Sequence, residues 1–297
     1  MASIEGGNKP LIHIVIPHYS APEFLERLLD SITTAYSQAR EWCACKVWVV
    51  NDSPEVSLAA LERRPHPFEI VWMKQEQNSG VAEARNVPLD YIHSGYINWI
   101  DQDDTLNAHY FTQIAPALSP KKVLLINASM DFGKTSQPLL KVPPVLKRSV
   151  LCWYNPIRTP GMLVFPVAFI REGGWRFFSG GKHGGSDDWA FHFQWMEKQE
   201  VTYLPEALLT IHRGAHNASR NVRAAYWSRW TNTQELIRRG LAPIALHANW
   251  AFRALFAPFF LVSLPGQSAL YGMISGMERI ADKNFWFYLR KRYLQKP

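Results

Sequence analysis

A short acidic run, Asp101-Gln102-Asp103-Asp104, is the clearest candidate for metal chemistry in this chain. If the run forms a turn, its alternate carboxylates, Asp101 and Asp103, can hold one hard divalent cation, and Mg²⁺ or Mn²⁺ suits such oxygen ligands. A cation held there can neutralise the charge that develops on a departing diphosphate. Acidic turns are common, so the assignment depends on the segments that accompany this run.

Three more polar segments precede the acidic run, and each follows or opens an apolar element. They are Pro17-His18-Tyr19, Asn51-Asp52-Ser53 and the longer stretch 77–86. In an open α/β sheet, ligands bind beyond the carboxyl ends of the strands. The order of the four segments therefore predicts one binding site assembled from several loops. A carboxylate such as Asp52 can accept the N3 hydrogen of uracil or thymine, and an aromatic ring such as Tyr19 can stack on the base.

Strands alternating with helices would position these segments. Short apolar runs, many of them rich in β-branched residues, predict strands at residues 11–17, 47–50, 70–73, 96–100, 123–126, 162–166, 201–204 and 207–211. Helices are predicted after Pro22, over 81–92 with an interruption at Pro88, and over 187–198. This alternation indicates an α/β fold with a largely parallel, helix-covered sheet. Residues 1–223 form the predicted main domain, and residues 224–297 a helical, apolar and basic C-terminal extension.

Composition narrows the class of protein. The chain has 297 residues, of which 47% are hydrophobic, enough for a substantial core and against disorder. Its polar start lacks the apolar segment of a secretory signal peptide, so we expect none. The three cysteines fit neither a disulfide framework nor a four-ligand zinc site, which favours a reducing cytoplasm. A net charge of +7 favours attraction to anionic lipid, nucleotide phosphate or nucleic acid.

The four segments, in their order, resemble those of the family 2 glycosyltransferases with the GT-A fold, and the resemblance covers residues 11–219. The family's Pro-x-Tyr-Asn turn is Pro17-His18-Tyr19-Ser20 here, and its acidic pair followed by Gly-Ser is Asn51-Asp52-Ser53-Pro54. Its Asn-x-Gly … Ala-Arg-Asn segment matches residues 78–86, and its DxD motif matches Asp101-Gln102-Asp103. The resemblance implies that the nucleotide-binding residues are Pro17, Tyr19, Asp52, Asn78, Gly80, Arg85 and Asp101, and that the metal ligands are Asp103, Asp101 and His212.

The resemblance also implies an acceptor side. Residues 184–191 are similar to the family's Gly-Glu-Asp-Trp segment, in which the second acid is the general base. That acid is Asp188 here, with Asp187 and Trp189 expected beside the acceptor. If one carboxylate deprotonates the acceptor hydroxyl, that hydroxyl can attack from the face opposite the leaving group, and no second, nucleophilic carboxylate is needed. Inversion at the anomeric carbon is therefore implied. The alternative is an acidic pair that only opens a helix.

Residues 209–219 are similar to the family's Tyr-Arg-x-His … Asn-x-Ser closure. His212 aligns with the histidine that can join the metal or the diphosphate. His216 is a rival, because this loop is one residue longer than is usual in the family. A purely structural role is the alternative for either histidine.

The expected function is therefore metal-dependent, inverting transfer from a nucleoside-diphosphate sugar, of UDP or dTDP type, to a glycan or lipid-linked glycan acceptor in surface polysaccharide synthesis. The cofactor would be Mn²⁺ or Mg²⁺. Rival functions are sugar transfer to nucleic acid and a catalytically inactive nucleotide-sugar-binding module. A nucleotidyltransferase would need a Gly-rich basic loop at the first strand, and Pro17-His18-Tyr19-Ser20 contains none.

The C-terminal extension has two interpretations. Its longest apolar run, residues 254–264, is well short of the ~20 residues that span a bilayer. The ending joins aromatic residues to the cations Arg290, Lys291 and Arg292, a combination that suits the surface of an anionic membrane. The extension would then place the enzyme peripherally on the inner face of the cell membrane. Alternatively, its helices pack on the catalytic domain.

Overall fold

The computed structural model describes residues 9–131, 136–140, 144–153, 155–178, 185–212, 221–260, 267–274 and 277. The chain divides into two compact units, neither of which is continuous in sequence. The first unit takes in Met1–Pro143, Thr159–Phe177 and Lys198–Ala215. The second takes in Pro144–Arg158, Phe178–Glu197 and His216–Pro297.

The first unit is built on a mixed, mostly parallel sheet. Its strands are β1 Leu11–His18, β2 Ala44–Asn51, β3 Glu69–Lys74, β4 Tyr96–Trp99, β5 Thr105–Leu106, β6 Lys122–Asp131, β7 Ser136–Pro138, β8 Leu163–Pro166 and β9 Glu200–His212. Their order across the sheet is β3-β2-β1-β4-β8-β6-β9-β5, with β7 paired to β6. The neighbouring strands β3, β2, β1 and β4 run parallel, and β8 lies antiparallel between β4 and β6. The predicted α/β sheet is confirmed.

The helices, in chain order, are α1 Pro22–Ser37, α2 Ala59–Glu62, α3 Val81–Asn86, α4 Tyr110–Ile114, α5 Arg148–Leu151, α6 Val167–Gly173, α7 Asp187–Trp195, α8 Val222–Arg238 and α9 Ile244–Ala254. In the first unit, α1 starts with Pro22, whose fixed φ suits the first turn, and buries Leu25, Leu28 and Ile32 completely. Helix α3 gives way at Val87 to a 3₁₀ turn, Val87–Asp90, because Pro88 cannot continue an α-helix.

One observed strand combines two segments that were predicted as separate strands. Residues 201–204 and 207–211 were expected as two strands, but both belong to the continuous strand β9. Pro205 lacks the backbone N–H that a regular ladder requires, and here the pairing with β6 shifts register around Asn127. The Asn127 side chain donates to the Pro205 carbonyl oxygen at 3.0 Å, which joins the two strands at the irregularity. A bulge thus replaces the expected break.

The second unit is helical among its described residues. It contains α5, α7, α8, α9 and a 3₁₀ turn, Ala257–Phe260. Tyr226 of α8 stacks on Phe260 with ring centroids 4.1 Å apart, and Ile274 completes this buried cluster. Helix α8 begins two residues before the predicted boundary at 224. The second unit nevertheless includes α7, which the sequence assigned to the main domain, because α7 buries large aromatic side chains within this unit. In the described part of the chain, no helix has both the length and the apolar character to cross a bilayer.

Candidate active site

The carboxyl ends of β1, β2 and β4 bring the predicted binding segments to one edge of the first unit's sheet. The parallel register pairs His18 with Asn51, and the Asp52 backbone N–H donates to the His18 carbonyl oxygen at 2.9 Å. Strand β4 pairs with the other side of β1, so its following loop emerges at the same edge. Pro17 is buried at the end of β1, whereas the Tyr19 side chain beyond it is 54% exposed. Three of the four sequence segments therefore start from adjacent strand ends.

Asp52 joins the second segment to the third. Its Oδ1 accepts the Ser79 backbone N–H at 2.7 Å, and its Oδ2 accepts the Gly80 backbone N–H at 2.9 Å. Gly80 precedes α3 with φ +89°, a backbone conformation that favours glycine. The backbone N–H groups at this helix start thus face a buried carboxylate. Asn78, one residue before this contact, is exposed.

Arg85 of α3 binds Asp101, the first acid of the acidic run. Its guanidinium forms an ion pair with Asp101 Oδ1 and lies 5.3 Å from the centroid of the Phe177 ring. Asp101 Oδ2 accepts the Thr159 hydroxyl at 3.2 Å. Arg85 is almost fully buried, and a buried cation requires such a partner. Both oxygens of Asp101 therefore have protein partners.

Gln102 fixes the acidic run against the end of β1. Its side-chain carbonyl accepts the Tyr19 N–H at 3.0 Å, and its side-chain amide donates to the Tyr19 carbonyl oxygen at 2.7 Å. Arg27 of α1 donates to the Asp103 carbonyl oxygen at 2.6 Å. Neither Gln102 nor Arg27 was predicted from the sequence to have a role. The sequence feature that could have indicated a role is the position of Gln102 between two acids, since its amide group can both donate and accept a hydrogen bond.

His212 ends β9 beside the acidic loop. Its Nε2 lies 2.9 Å from the hydroxyl of Thr105, two residues after Asp103. Its Nδ1 lies 3.1 Å from Asp131 Oδ2, since the register of β6 and β9 pairs these two residues. Burial and the positive charge of Arg27 lower the pKa of His212, against an opposing effect of Asp131. A neutral imidazole oriented by a carboxylate is the usual form of a histidine metal ligand. Asp131 is a functional candidate that sequence analysis missed, and His216 lies outside the described residues.

The residues near the acidic loop suit a cation whose remaining ligands come from the substrate. The described part of the chain contains no group of three or more His, Cys, Asp or Glu residues that could hold a metal ion. Asp103 lies on the loop, and His212, with its lowered pKa, lies beside it. A hard divalent cation takes several oxygen ligands and can accept the remainder from a diphosphate. The donor set fits Mn²⁺ or Mg²⁺ bound together with a nucleotide.

The predicted catalytic residue, Asp188, lies in the first turn of α7 in the second unit. Asp188 is half-buried and Asp187 buried, and both lie in the first turn of the helix, where negative charge is favoured. The residue that precedes the helix is Ser186, so the acidic pair does not cap it. Trp189 was expected beside the acceptor, but its ring is 1% exposed and its indole N–H donates to the Leu151 carbonyl oxygen at 2.8 Å. Trp189 is thus held inside the second unit. The expected acceptor contacts of Asp187 and Trp189 stay predictions.

The comparison with protein families decides the family of this chain. Residues 13–172, which include β1, β2, β4 and the acidic run, match the model of Glycosyl transferase family 2. The chain belongs to this family. The match ends before Asp188 and His212, whose roles depend on the shorter sequence similarities.

Three known proteins show the range of the similarity. The chain is 30% identical over 104 residues to the minor teichoic acid biosynthesis protein GgaB of Bacillus subtilis, which covers 34% of this chain and 11% of that protein. Among solved structures, S. aureus TarS 1-349 in complex with UDP-GlcNAc has a TM-score of 0.60 at 16% identity, over 87% of this chain and 77% of that one.

The mannosyltransferase PcManGT of Pyrobaculum calidifontis, in complex with GDP-Man and Mn²⁺, has a TM-score of 0.57 at 16% identity, over 97% of this chain and 89% of that one. These structures confirm the GT-A fold. The regions of the curated relatives that match this family 2 chain make up between 10% and 39% of those proteins' lengths.

Proposed function

We propose that this chain transfers a sugar from a nucleoside-diphosphate sugar to a hydroxyl group of a glycan or lipid-linked glycan, with inversion and with Mn²⁺ or Mg²⁺ as cofactor. The observation that carries the proposal is the junction of three loops at one sheet edge. Asp52, in the second loop, accepts a backbone N–H at the start of α3. Arg85 of α3 forms an ion pair with Asp101, the first residue of the acidic run. Gln102 of the same run donates a hydrogen bond to the backbone of Tyr19. A UDP or dTDP donor is favoured, because the carboxylate of Asp52 at this edge can accept the N3 hydrogen of uracil or thymine.

Each part of the donor has a candidate partner in the first unit. The exposed ring of Tyr19 offers a face on which a base can stack. Each oxygen of Asp52 accepts one backbone N–H. A carboxylate has about four acceptor positions, so Asp52 can also accept the N3 hydrogen of a pyrimidine. Asp101, which contacts Arg85 and Thr159, would accept a hydrogen bond from the ribose.

The leaving diphosphate requires positive charge. Asp103 and the neutral imidazole of His212 would hold the divalent cation, and the bound cation supplies charge neutralisation at the diphosphate. Asp131 would keep His212 in the tautomer whose Nε2 can bind a metal, once that nitrogen leaves the Thr105 hydroxyl. The side chain of Asp188 would remove the proton of the acceptor hydroxyl as it attacks the anomeric carbon. A single base of this kind leads to inversion.

A surface glycan is the acceptor class that the relatives favour, because GgaB is named for teichoic acid biosynthesis. An anionic membrane surface is the matching location. Five large apolar side chains are exposed within the described part of residues 244–277: Ile244, Leu255, Phe259, Met273 and Met277. The only charged residue in 241–277 is Arg253, which is buried. Burial of this apolar surface in a membrane, helped by the cations of residues 279–296, would give reversible binding on its cytoplasmic face.

The proposal is tested first by ligand binding. Melting temperatures are measured with UDP, dTDP and GDP, each with and without Mn²⁺. A ligand at 100 times its Kd adds about 2.7 kcal/mol of stability, so a bound nucleotide gives a clear rise. We expect the largest rise with UDP or dTDP, and a larger one with Mn²⁺ present. No rise with any nucleoside diphosphate would contradict the proposal.

Turnover is tested next, as nucleotide release from the nucleotide sugar whose nucleotide gives the largest rise. Asp188→Asn should lose at least ~100-fold in turnover, with donor affinity nearly unchanged, because a general base contributes about that factor. Asp90→Asn, at an exposed ion pair, is the matched control and should keep full turnover. Binding without turnover would indicate an inactive binding module, and transfer to RNA or DNA would indicate a nucleic acid acceptor.

A further inference from the structure

We propose that helix α8 positions the general base, with Arg229 as the principal positioning residue and Ser228 and Asn232 as its partners. The inference rests on the proposed role of Asp188. All of the contacts that carry it lie within the second unit, and α8 follows the segment that matches the family model.

Two side chains of α8 hold the turn that leads into α7. The carbonyl oxygen of Gly185 accepts hydrogen bonds from the Ser228 hydroxyl and from Asn232 Nδ2, the latter at 3.3 Å. Ser228 and Asn232 are one helical turn apart on α8 and are both buried. The Gly185 carbonyl is therefore fixed by two donors from inside the unit.

The held turn has an unfavourable backbone conformation. Gly185 has φ +88°, and Ser186 has φ +55°, in the left-handed region that non-glycine residues rarely adopt. Ser186 precedes α7 without using its side chain to cap the helix. The contacts from α8 hold the residue directly before Ser186, and Asp187 and Asp188 follow it.

Arg229 holds the other side of the first turn of α7. Its guanidinium carbon lies 3.1 Å from the centroid of the Trp189 ring. Its Nη2 donates to the Leu151 carbonyl oxygen at 3.3 Å, the same oxygen that accepts the Trp189 indole N–H at 2.8 Å. The cation therefore fixes both the plane of the ring and its hydrogen bond.

These contacts hold residues on both sides of Asp188 in the sequence. Gly185 is held three residues before it and Trp189 one residue after it, and neighbouring side chains on a helix point about 100° apart. With Trp189 directed inward, Asp188 is directed along a different face and is half-buried. Misplacement of a catalytic group by about 1 Å can cost roughly 100-fold in rate. Loss of Arg229 should therefore lower turnover without any contact between Arg229 and substrate.

The test uses Arg229→Met in the full chain, with nucleotide release from the nucleotide sugar as the activity. We expect kcat to fall roughly 10- to 100-fold while the donor KM, the UDP affinity and the melting temperature change little. Arg229→Lys should recover part of the loss, since an ammonium group can also lie over the ring. Ser228→Ala combined with Asn232→Leu should lower kcat in the same way. Arg238→Met is the matched control, because Arg238 lies on the same helix but is exposed, and it should be neutral.

A double-mutant cycle separates positioning from a merely structural role. In the Asp188→Asn background, Arg229→Met should change kcat by less than about twofold, because its effect is exerted through Asp188. Full activity of Arg229→Met, or a loss that adds to that of Asp188→Asn, would overturn the inference alone. If the loss of kcat in Arg229→Met only matches the fraction of protein that is unfolded, Arg229→Lys distinguishes the two explanations. An Arg229→Lys variant that is folded and has an unchanged kcat overturns the inference. Wild-type turnover by Asp188→Asn would instead overturn the base assignment on which the inference rests.

Discussion

Replacement of Asp52 by asparagine tests how the donor site is built. The two oxygens of Asp52 accept the N–H groups of Ser79 and Gly80 at 2.7 and 2.9 Å, and the side chain is buried. An asparagine has one oxygen, so its amide group would face one of these N–H groups, donor against donor. Asp52→Asn should therefore destabilise the native state as well as weaken nucleotide binding.

The size of the effect follows from the two contacts. A hydrogen bond to a charged group contributes about 1.5–3 kcal/mol, and an unsatisfied buried donor costs about 1–3 kcal/mol. Since the remaining oxygen keeps one contact, we expect a loss of about 2–4 kcal/mol in the free energy of unfolding. For a domain of this size, each kcal/mol lowers the melting temperature by about 2–4 °C, which gives a decrease of about 5–15 °C.

Calorimetry without ligand and UDP titration together check this prediction. Asp90→Asn serves as the control, because Asp90 makes an ion pair with Arg176 at the surface and should contribute less than about 1 kcal/mol. We expect Asp52→Asn to lower both the melting temperature and the UDP affinity. If Asp52→Asn lost UDP affinity but kept the wild-type melting temperature, the side chain would act only as a nucleotide ligand, and the reasoning from its backbone contacts would be refuted.

Three further predictions concern the metal, pH and the C-terminal segment. Asp103→Asn should abolish both turnover and the Mn²⁺-dependent gain in UDP affinity at an unchanged ligand-free melting temperature, and full Mn²⁺-dependent turnover would contradict its role. Burial lowers the pKa of His13 from 6.5 to about 4, so the unfolded chain binds more protons between these values and stability should fall as pH decreases from 6.5 to 4. Urea midpoints at pH 7 and 5 should differ less in His13→Gln, and an equal difference would exclude His13 as the cause. Charge reversal of Arg290, Lys291 and Arg292 should weaken sedimentation with anionic liposomes, as should added salt, and binding insensitive to both would refute the electrostatic part.

Local sequence patterns are enough to predict the individual helices and strands and the edge of the sheet at which the site forms. Apolar runs that end in polar residues mark the strands, and the polar ends at Tyr19, Asp52 and Asp101 meet because parallel strands share one carboxyl edge. Pro22 and Pro88 marked a helix start and a helix end, since proline restricts the backbone regardless of tertiary context. These features depend on a few neighbouring residues, so a pattern of residue types is enough to predict them.

The hydrogen-bond partners of the polar side chains depend on the tertiary structure. His212 contacts Asp131 because a strand register pairs residues 81 positions apart. Asp52 faces the start of α3, and Gln102 binds the backbone of Tyr19, through loops whose relative placement no local pattern contains. The continuity of β9 across Pro205 likewise depends on its partner strand, since the pairing shifts register beside Asn127 of β6. The spacing of hydrophobic residues indicates which face of a helix or strand is apolar. Hydrogen-bond partners, in contrast, depend on the packing of elements that are distant in sequence.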